Sequence, residues 1–400
     1  MNAAPIRLLR ALHSLAPSGG GPVSGVRSIT PILAARGVAT ELVSADDPAL
    51  AFSCPDALCH CLGPSRRSNG YTPALRPWLR RELPRFDAAV VHGLWQYHGY
   101  ALAREAHRRG VPYFVYPHGM LDPWFNRTYP LKHLKKQLYW WLAEARVLRD
   151  AAGVLFTCEE ERRLARTAFR PWHCREVVVN YGCAAPPPAS VAQTAAFRAR
   201  CPELGGRSFL LYLSRVHEKK GVDLLLRAYG ELLASAPPDS APALVIAGPC
   251  ADAAYLAQLQ RAAASLPAGG LVLWPGMLEG DAKWGAFRAA EAFVLPSHQE
   301  NFGIAVAEAL ACGTPALISN QVNIWRELAA AGAALVEPDT AEGTRALLAH
   351  WAALPAGRKT AMRAAAAELF AARFEISRAA DSLQAELERV IGIRPLVVSE

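Results

Sequence analysis

Residues 291–317, EAFVLPSHQENFGIAVAEALACGTPAL, read as a complete strand–turn–helix–strand unit. The short apolar run Ala292–Pro296 suits a buried strand, Ser297–Asn301 a polar turn, and Gly303–Cys312 a helix. A second run, Ala316–Ser319, predicts the next strand. Two carboxylates have fixed places in this unit. Glu300 falls in the turn, at the carboxyl end of the strand, where open α/β sheets bind ligands. Glu308 falls in the second turn of the helix, about 7.5 Å beyond Gly303 at ~1.5 Å per residue. The start of such a helix presents unpaired N–H groups and partial positive charge, a seat for a phosphate. A phosphate at that end would leave Glu308 within reach of a ribose hydroxyl, with Glu300 at the turn facing whatever the phosphate carries. Ile304, Val306, Leu310 and the intervening alanines make the helix apolar almost all round, so Glu308 is expected to be buried with a partner.

Strand and helix patterns alternate on both sides of this unit, the mark of parallel sheets and βαβ crossovers. In the first half, strands are expected near Ile6–Leu12, Thr40–Ser44, Ala88–His92, Pro112–Tyr116, Gly153–Thr157 and Glu176–Val179. Helices such as Ser24–Arg36, Tyr97–Arg109 and Leu131–Asp150 fall between them. The second half restarts at Phe209–Leu213 and continues through Ala243–Ala247, Leu271–Trp274 and Ala333–Val336. Helical patterns close the chain at Ala341–Ala352, Gly357–Arg373 and Ser377–Val390. Between the halves, Cys183–Gly206 holds Pro186-Pro187-Pro188 and Gly205-Gly206 and reads as a linker, with a short turn at Arg198–Glu203.

Four hundred residues suit two domains, and 52% hydrophobic with 20% charged residues describes a well-cored globular chain. No run of 18 or more apolar residues appears, and the uncharged run Ala309–Trp325 is broken by Gly313, Pro315, Asn320 and Asn323, which argues against a membrane span. Arg7 and Arg10 interrupt the first apolar stretch, which argues against a secretory signal. Nine scattered cysteines, with only Cys59 and Cys61 close together, suit free thiols in a cytoplasmic setting better than a disulfide frame or a zinc site. Charge is uneven. Through Ala185, 24 lysines and arginines face 14 aspartates and glutamates, net +10; the remainder is net −2, restoring the +8 of the whole chain. The first half therefore suits an anionic partner.

Further motifs sit where strands end. Ser18-Gly19-Gly20-Gly21-Pro22 follows the first strand; three glycines allow a close ligand approach, but Ser24 stands where a dinucleotide fingerprint needs glycine. Ser214-Arg215-Val216-His217-Glu218-Lys219-Lys220-Gly221 follows Phe209–Leu213. Arginine grips two phosphate oxygens at once and lysine adds a point charge. Tyr116-Pro117-His118-Gly119-Met120-Leu121-Asp122-Pro123-Trp124 follows the fourth strand, and His92-Gly93-Leu94-Trp95 ends the third in the same way. Asp46 and Asp47 lack the D-x-D spacing of a metal site and are assigned to a loop, so no catalytic metal is expected. Lys132, Lys135 and Lys136 lie beside Tyr139, Trp140 and Trp141 on one helix. That pattern suits either an anionic membrane surface, reached from the inner face, or a core helix with a solvated basic side. No nucleic-acid-binding module accompanies the charge.

The run E-N-F-G-I-A-V-A-E followed by A-C-G-T-P, with R-x4-K-G, His-Gly and the glycine loop in order, resembles the family-4 retaining glycosyltransferases (glycosyl transferases group 1) of the GT-B fold. The resemblance implies an α/β chain of two Rossmann-like doubly wound parallel-sheet domains facing across a cleft. It implies an acceptor-side domain over 1–185, a linker over 186–207, a nucleotide-sugar domain over 208–373 and a last helix, 374–400, crossing back. It implies that Glu300 contacts the donor sugar, that the backbone of Asn301, Phe302 and Gly303 holds sugar and phosphate, and that Glu308 binds ribose. Arg215 and Lys220 are implied to hold the diphosphate, Gly20 and Gly21 to lie beside it, and Met277 and Leu278 to meet the base through backbone. His118 is implied near the transferred sugar, with Asp122 on donor or acceptor and His92 and Trp95 on the acceptor side. The implied reaction moves a sugar from a nucleotide-diphosphate sugar to a glycan or lipid-linked hydroxyl, without cofactor, and the H-G-M-L-D-P-W form points to surface polysaccharide assembly. An epimerase or hydrolase of the same fold, or a non-catalytic nucleotide-sugar-binding protein, remains the alternative.

Overall fold

The computed structural model describes residues 5–17, 20–66, 69–235 and 241–392, with the Arg127 side chain left out. The chain divides into two units, Met1–Gly182 with Ile376–Glu400, and Cys183–Glu375. The first carries seven strands: β1 (Ile6–Ala11), β2 (Val38–Ser44), β3 (Ala57–Cys61), β4 (Ala88–His92), β5 (Tyr113–Tyr116), β6 (Gly153–Phe156) and β7 (Glu176–Val178). They pair in parallel in the order β3-β2-β1-β4-β5-β6-β7. The second carries β8 (Phe209–Leu213), β9 (Ala243–Ala247), β10 (Val272–Gly276), β11 (Ala292–Leu295), β12 (Ala316–Ser319) and β13 (Ala334–Glu337). Their order is β10-β9-β8-β11-β12-β13, again parallel.

The parallel arrangement follows from composition. AAVVH, YFVY, GVLF, ALVIA, AFVL and ALIS are buried at every position, as strands covered by helices on both faces must be. Each sheet reverses its order once, between β1 and β4 and between β8 and β11. At such reversals the connecting helices leave on opposite faces, and the carboxyl ends of the two strands stay open to a ligand.

Several elements depart from the sequence-based expectation. Strand β3 was not anticipated, because ALCHC is an edge strand, half-exposed along its length and without clear alternation. Cys59 and Cys61 lie on it, and all nine cysteines are free thiols. The expected linker is largely structured within the second unit. Val191–Arg200 is a helix, with the Ser190 hydroxyl accepting the Gln193 amide at 3.3 Å. It packs against the helix Gly280–Ala289 so closely that a Cβ on Gly285 would sit 2.1 Å from the Gln193 carbonyl. Its inward face includes Gln193 as well as Phe197, so the apolar periodicity that reveals a helix is diluted, and the prolines before it suggest a loop. The expected single helix Leu131–Asp150 is instead Pro130–Tyr139, a π turn at Trp140–Glu144, and Ala145–Arg149. A π turn has the same apolar composition as the helix it interrupts, so periodicity does not show it.

The helix Ile376–Ile391 completes the first unit's core. Ile376, Ala379, Ala380, Leu383 and Leu387 pack with Leu8, Ile29, Leu33, Val38, Val90 and Phe114. Around that seam Arg36 pairs with Asp381 at 2.6 Å, and Arg175 pairs with Glu386. Leu383 is fully buried. Leu383→Ala is expected to destabilise the protein by about 2–5 kcal/mol in urea unfolding. Arg378→Ala, on the same helix but half-exposed, should stay within roughly 0.5 kcal/mol of wild type.

Candidate active site

In the second unit the site is built from loops that follow β8 and β11. The loop after β8 lies directly against the loop after β9, since a Cβ on Gly248 would be 1.9 Å from the Ser214 carbonyl oxygen. The Tyr212 hydroxyl donates to the Arg215 carbonyl at 2.8 Å, and the Arg215 side chain is exposed. Glu218–Lys220 then forms a single tight turn, capped by the His217 ring accepting from the Lys219 amide at 3.1 Å. Gly221 ends it at φ +69°, and a Cβ there would lie 2.2 Å from the Pro296 carbonyl oxygen. Both glycines are therefore required by backbone packed on backbone.

That packing joins the end of β8 to the end of β11. The His298 amide donates to the Lys219 carbonyl at 2.8 Å, and the Ser297 hydroxyl donates to the same oxygen at 3.0 Å. Glu300 is held by its own backbone, its amide donating to Gln321 at 2.9 Å and its carbonyl accepting from Asn323 at 3.0 Å. These constraints bring two residues 80 positions apart into an ion pair: the Lys220 ammonium, 8% exposed, and the Glu300 carboxylate, 22% exposed.

Gly303, in the left-handed region at φ +78°, precedes the helix Ile304–Ala311, one residue shorter at each end than the pattern suggested. Phe302 is buried and meets Phe374 edge-on at 5.5 Å, which anchors the turn. Asn301 is half-buried near Asn323. Glu308 is half-buried, with Lys283 bound at 2.7 Å. Lys283, on the helix Gly280–Ala289, was not singled out from the sequence. The signal available was Glu308 itself, a carboxylate on an apolar helix that needs a cation. After β10, Met277 is exposed and Leu278 buried. His298 pairs with Asp339 at 3.0 Å, and that hydrogen bond raises its pKa.

In the first unit, Gly20 stands at φ +71° and Gly21 opens the helix Gly21–Ala35, while Ser18 and Gly19 lie outside the described residues. The Tyr181 hydroxyl donates to the Gly21 carbonyl at 3.2 Å. His92 ends β4 and His118 follows β5. The His92 Nδ1 lies 2.9 Å from the His118 Nε2. Both rings stack with Tyr116, at centroid distances of 5.3 and 5.4 Å. The Arg10 Nε donates to the His92 Nε2 at 3.1 Å, and His98 donates to the His92 carbonyl at 3.0 Å. His118 is held at φ +51°, a conformation costly for a side chain with a Cβ. The next residue explains how it persists: the Gly119 amide donates to the buried Glu161 carboxylate at 2.7 Å, which also accepts from Thr157.

Asp122 is buried, and one carboxylate oxygen accepts the Trp124 amide at 2.8 Å, closing a turn. Trp95, also at positive φ, lies in an aromatic cluster with Phe169 at 5.0 Å and Trp140 at 6.2 Å, under the Lys136 ammonium at 4.9 Å. Its amide donates to Glu144 at 3.3 Å. Asp46, assigned from sequence to a loop, accepts from the Ser14 and Ser44 hydroxyls and the Leu15 amide, and Asp47 caps a short turn. The structure thus joins Lys220 with Glu300 in one unit and His92 with His118 in the other. Glu308, Asp122 and Trp95 are each engaged by separate partners. Arg10, Lys283, Glu144 and Glu161 are the contributors that sequence reasoning missed.

Burial raises the Glu144 carboxyl from its ordinary 4.5 to about 7. Between those pH values the folded protein keeps a proton that the unfolded chain releases. Its stability contribution is therefore lost as pH climbs from about 4.5 to about 7, and is flat above that. Glu144→Gln keeps the shape without ionising. Relative to wild type it should gain on the order of 3 kcal/mol between pH 5 and pH 8, read from urea unfolding at each pH.

Two family models match in order: "Glycosyl transferase 4-like domain" over residues 20–182 and "Glycosyl transferases group 1" over residues 194–368. The D-inositol 3-phosphate glycosyltransferase of Geodermatophilus obscurus is 30% identical over 261 residues, 60% of this chain and 54% of that protein. The protein of the same name from Frankia alni is 39% identical over 111 residues, 26% of this chain and 27% of that protein. The chain thus spans about half or less of the length of these curated relatives. Sucrose-phosphate synthase from Thermosynechococcus elongatus superposes with a TM-score of 0.74 at 17% identity, covering 98% of this chain and 100% of its own. Anabaena HepE, solved with UDP and glucose, gives 0.73 at 14% identity, covering 96% and 100%. At those identities the likeness concerns the fold, and it agrees with the seven- and six-stranded parallel sheets. With both models matched in sequence order, this chain belongs to the family-4 type glycosyltransferases of the GT-B fold.

Proposed function

We propose that the protein moves a sugar, with retention at the anomeric carbon, from a nucleotide-diphosphate sugar to a hydroxyl of a glycan or lipid-linked acceptor in surface polysaccharide assembly. The observation that carries this reading is the Lys220–Glu300 pair, lying where β8 and β11 diverge and just before the helix Ile304–Ala311. A buried ammonium neutralised by one half-exposed carboxylate is primed for exchange, because a diphosphate offers more negative charge than Glu300 does. Lys220 and the exposed Arg215 then bind the diphosphate, together with the helix start after Gly303. Glu300, released from Lys220, accepts hydrogen bonds from sugar hydroxyls. Glu308, steadied by Lys283, accepts from the ribose. Leu278 and Met277 offer backbone to the base. His118 orients the sugar.

As the bond from the anomeric carbon to phosphate breaks, its electron pair goes to the diphosphate, where Lys220 and Arg215 offset the charge. The acceptor oxygen bonds to the same face, and its proton passes to the leaving phosphate oxygen. Two side-chain cations and a helix start supply this charge compensation, so we assign the reaction no metal and no cofactor.

A lipid-linked acceptor is supported by the surface of the first unit. Leu131, Leu134, Leu138, Trp141 and Leu142 are all exposed along one helical stretch, beside Lys132 and Lys135. Apolar side chains flanked by lysines suit the interface of an anionic membrane. Among the described residues no helix is long and apolar enough to cross one.

Lys220→Ala and Glu300→Ala should each lower donor turnover roughly 10²-fold or more in a nucleotide-release assay, with unchanged turnover in both removing the assignment. Product analysis separates transfer from its rivals: release of free sugar or an epimer without acceptor would favour a hydrolase or epimerase, and binding without turnover a binding protein. Wild type should sediment with anionic vesicles at low salt, less as salt rises, and Leu134→Glu combined with Leu138→Glu should abolish sedimentation.

A further inference from the structure

The pair His92–His118 is one end of a longer chain that begins at Arg10. Arg10 lies within β1, is 3% exposed, and forms no ion pair with a carboxylate among the described residues. A guanidinium has only donors to offer. Its Nε–H therefore makes the His92 Nε2 an acceptor at 3.1 Å, which leaves the His92 proton on Nδ1. That Nδ1 lies 2.9 Å from the His118 Nε2, so the His118 Nε2 must accept, and the His118 proton in turn resides on its own Nδ1. The opposite assignment would set two N–H groups against each other at the first link.

We propose that Arg10, acting through His92, fixes His118 as the neutral Nδ1–H tautomer, so that His118 meets the sugar as a hydrogen-bond donor and never as a base. This rests on the reading that His118 faces the sugar. Arg10 and His92 are positioning residues, since neither is assigned a contact with substrate.

The surroundings are consistent with that assignment. Facing the two rings are Arg10, the Tyr116 and Tyr181 rings, and His98, which donates to the His92 carbonyl. Glu161 is nearby but is occupied by the Gly119 amide and by Thr157. Cys54 and Tyr181 are the other groups that bear on Arg10. Burial and the Arg10 charge hold His118 down to about 3 and His92 well below its ordinary value. Protonating His118 at Nε2 would break the link to His92.

The test is nitrogen-15 NMR of histidine-labelled full-length protein, which reports the tautomer of each ring, with His118 assigned by its absence in His118→Asn. Wild type should show His118 as Nδ1–H from pH 8 to pH 5 without titrating. An Nε2–H signal in wild type overturns the proposal, whatever any variant does to folding. Arg10→Met should give mixed tautomers and raise the His118 titration by at least one pH unit. Arg10→Gln, which keeps a donor without the charge, should hold the tautomer yet raise the titration. Unchanged spectra in Arg10→Met also overturn it. Turnover separates this from the functional reading. A tautomer lost in Arg10→Met with the kcat and KM of wild type would leave the relay standing and remove His118 from the sugar. A fall in kcat with a new acid limb in the pH profile supports both.

Discussion

Strand β8 is flanked by β9 and β11, and the chain leaves it first to one side and later to the other. The loops after these strands cannot follow one another over the sheet; they meet edge to edge with little room between them. Gly221 against Pro296 and Gly248 against Ser214 mark how tight that meeting is. The Lys220–Glu300 pair depends on it. Neither residue is near the other in sequence, and neither would hold its place if the backbone contacts slackened. Desolvating a lysine this far is costly unless a carboxylate stays close. The local stability and the readiness to take up an anion therefore have the same source.

The first unit uses a different device after β4 and β5. Two residues next to strand ends, Trp95 and His118, are held at positive φ. Left-handed backbone at residues with side chains persists only when neighbours over-determine it. Glu144 engages the amide of Trp95, and Glu161 engages the amide that follows His118. Two buried carboxylates thus fix the directions of two rings by gripping peptide groups, leaving the ring edges for other partners.

Legibility from sequence followed the range of the interactions. Apolar runs bounded by turn residues, such as AFVL and ALVIA, announced twelve of the thirteen strands because their signal is local. The half-exposed ALCHC carried no such signal, and the helix Val191–Arg200 was hidden by the prolines before it. Within the candidate site, the residues after β8 and β11 could be singled out by type and position. Their contacts could not, since Lys220 and Glu300 are 80 residues apart and Arg10 and His92 are 82. Arg10 looked like nothing more than a charge interrupting an apolar stretch. Its meaning arises only once β1 and β4 lie side by side.

The last helix gives the folding of this molecule an order of events. Leu8 and Phe114 share a hydrophobic cluster with Leu383 and Leu387, so one face of the N-terminal sheet is finished by residues made more than three hundred positions after β1. At ~5–20 residues per second of synthesis, that face waits some tens of seconds for its cover. The whole of the intervening unit, Cys183–Glu375, is made within that interval, because it is continuous in sequence. Until Ile376–Ile391 has been made, the aliphatic face that Leu8, Ile29 and Phe114 present has no cover from its own chain.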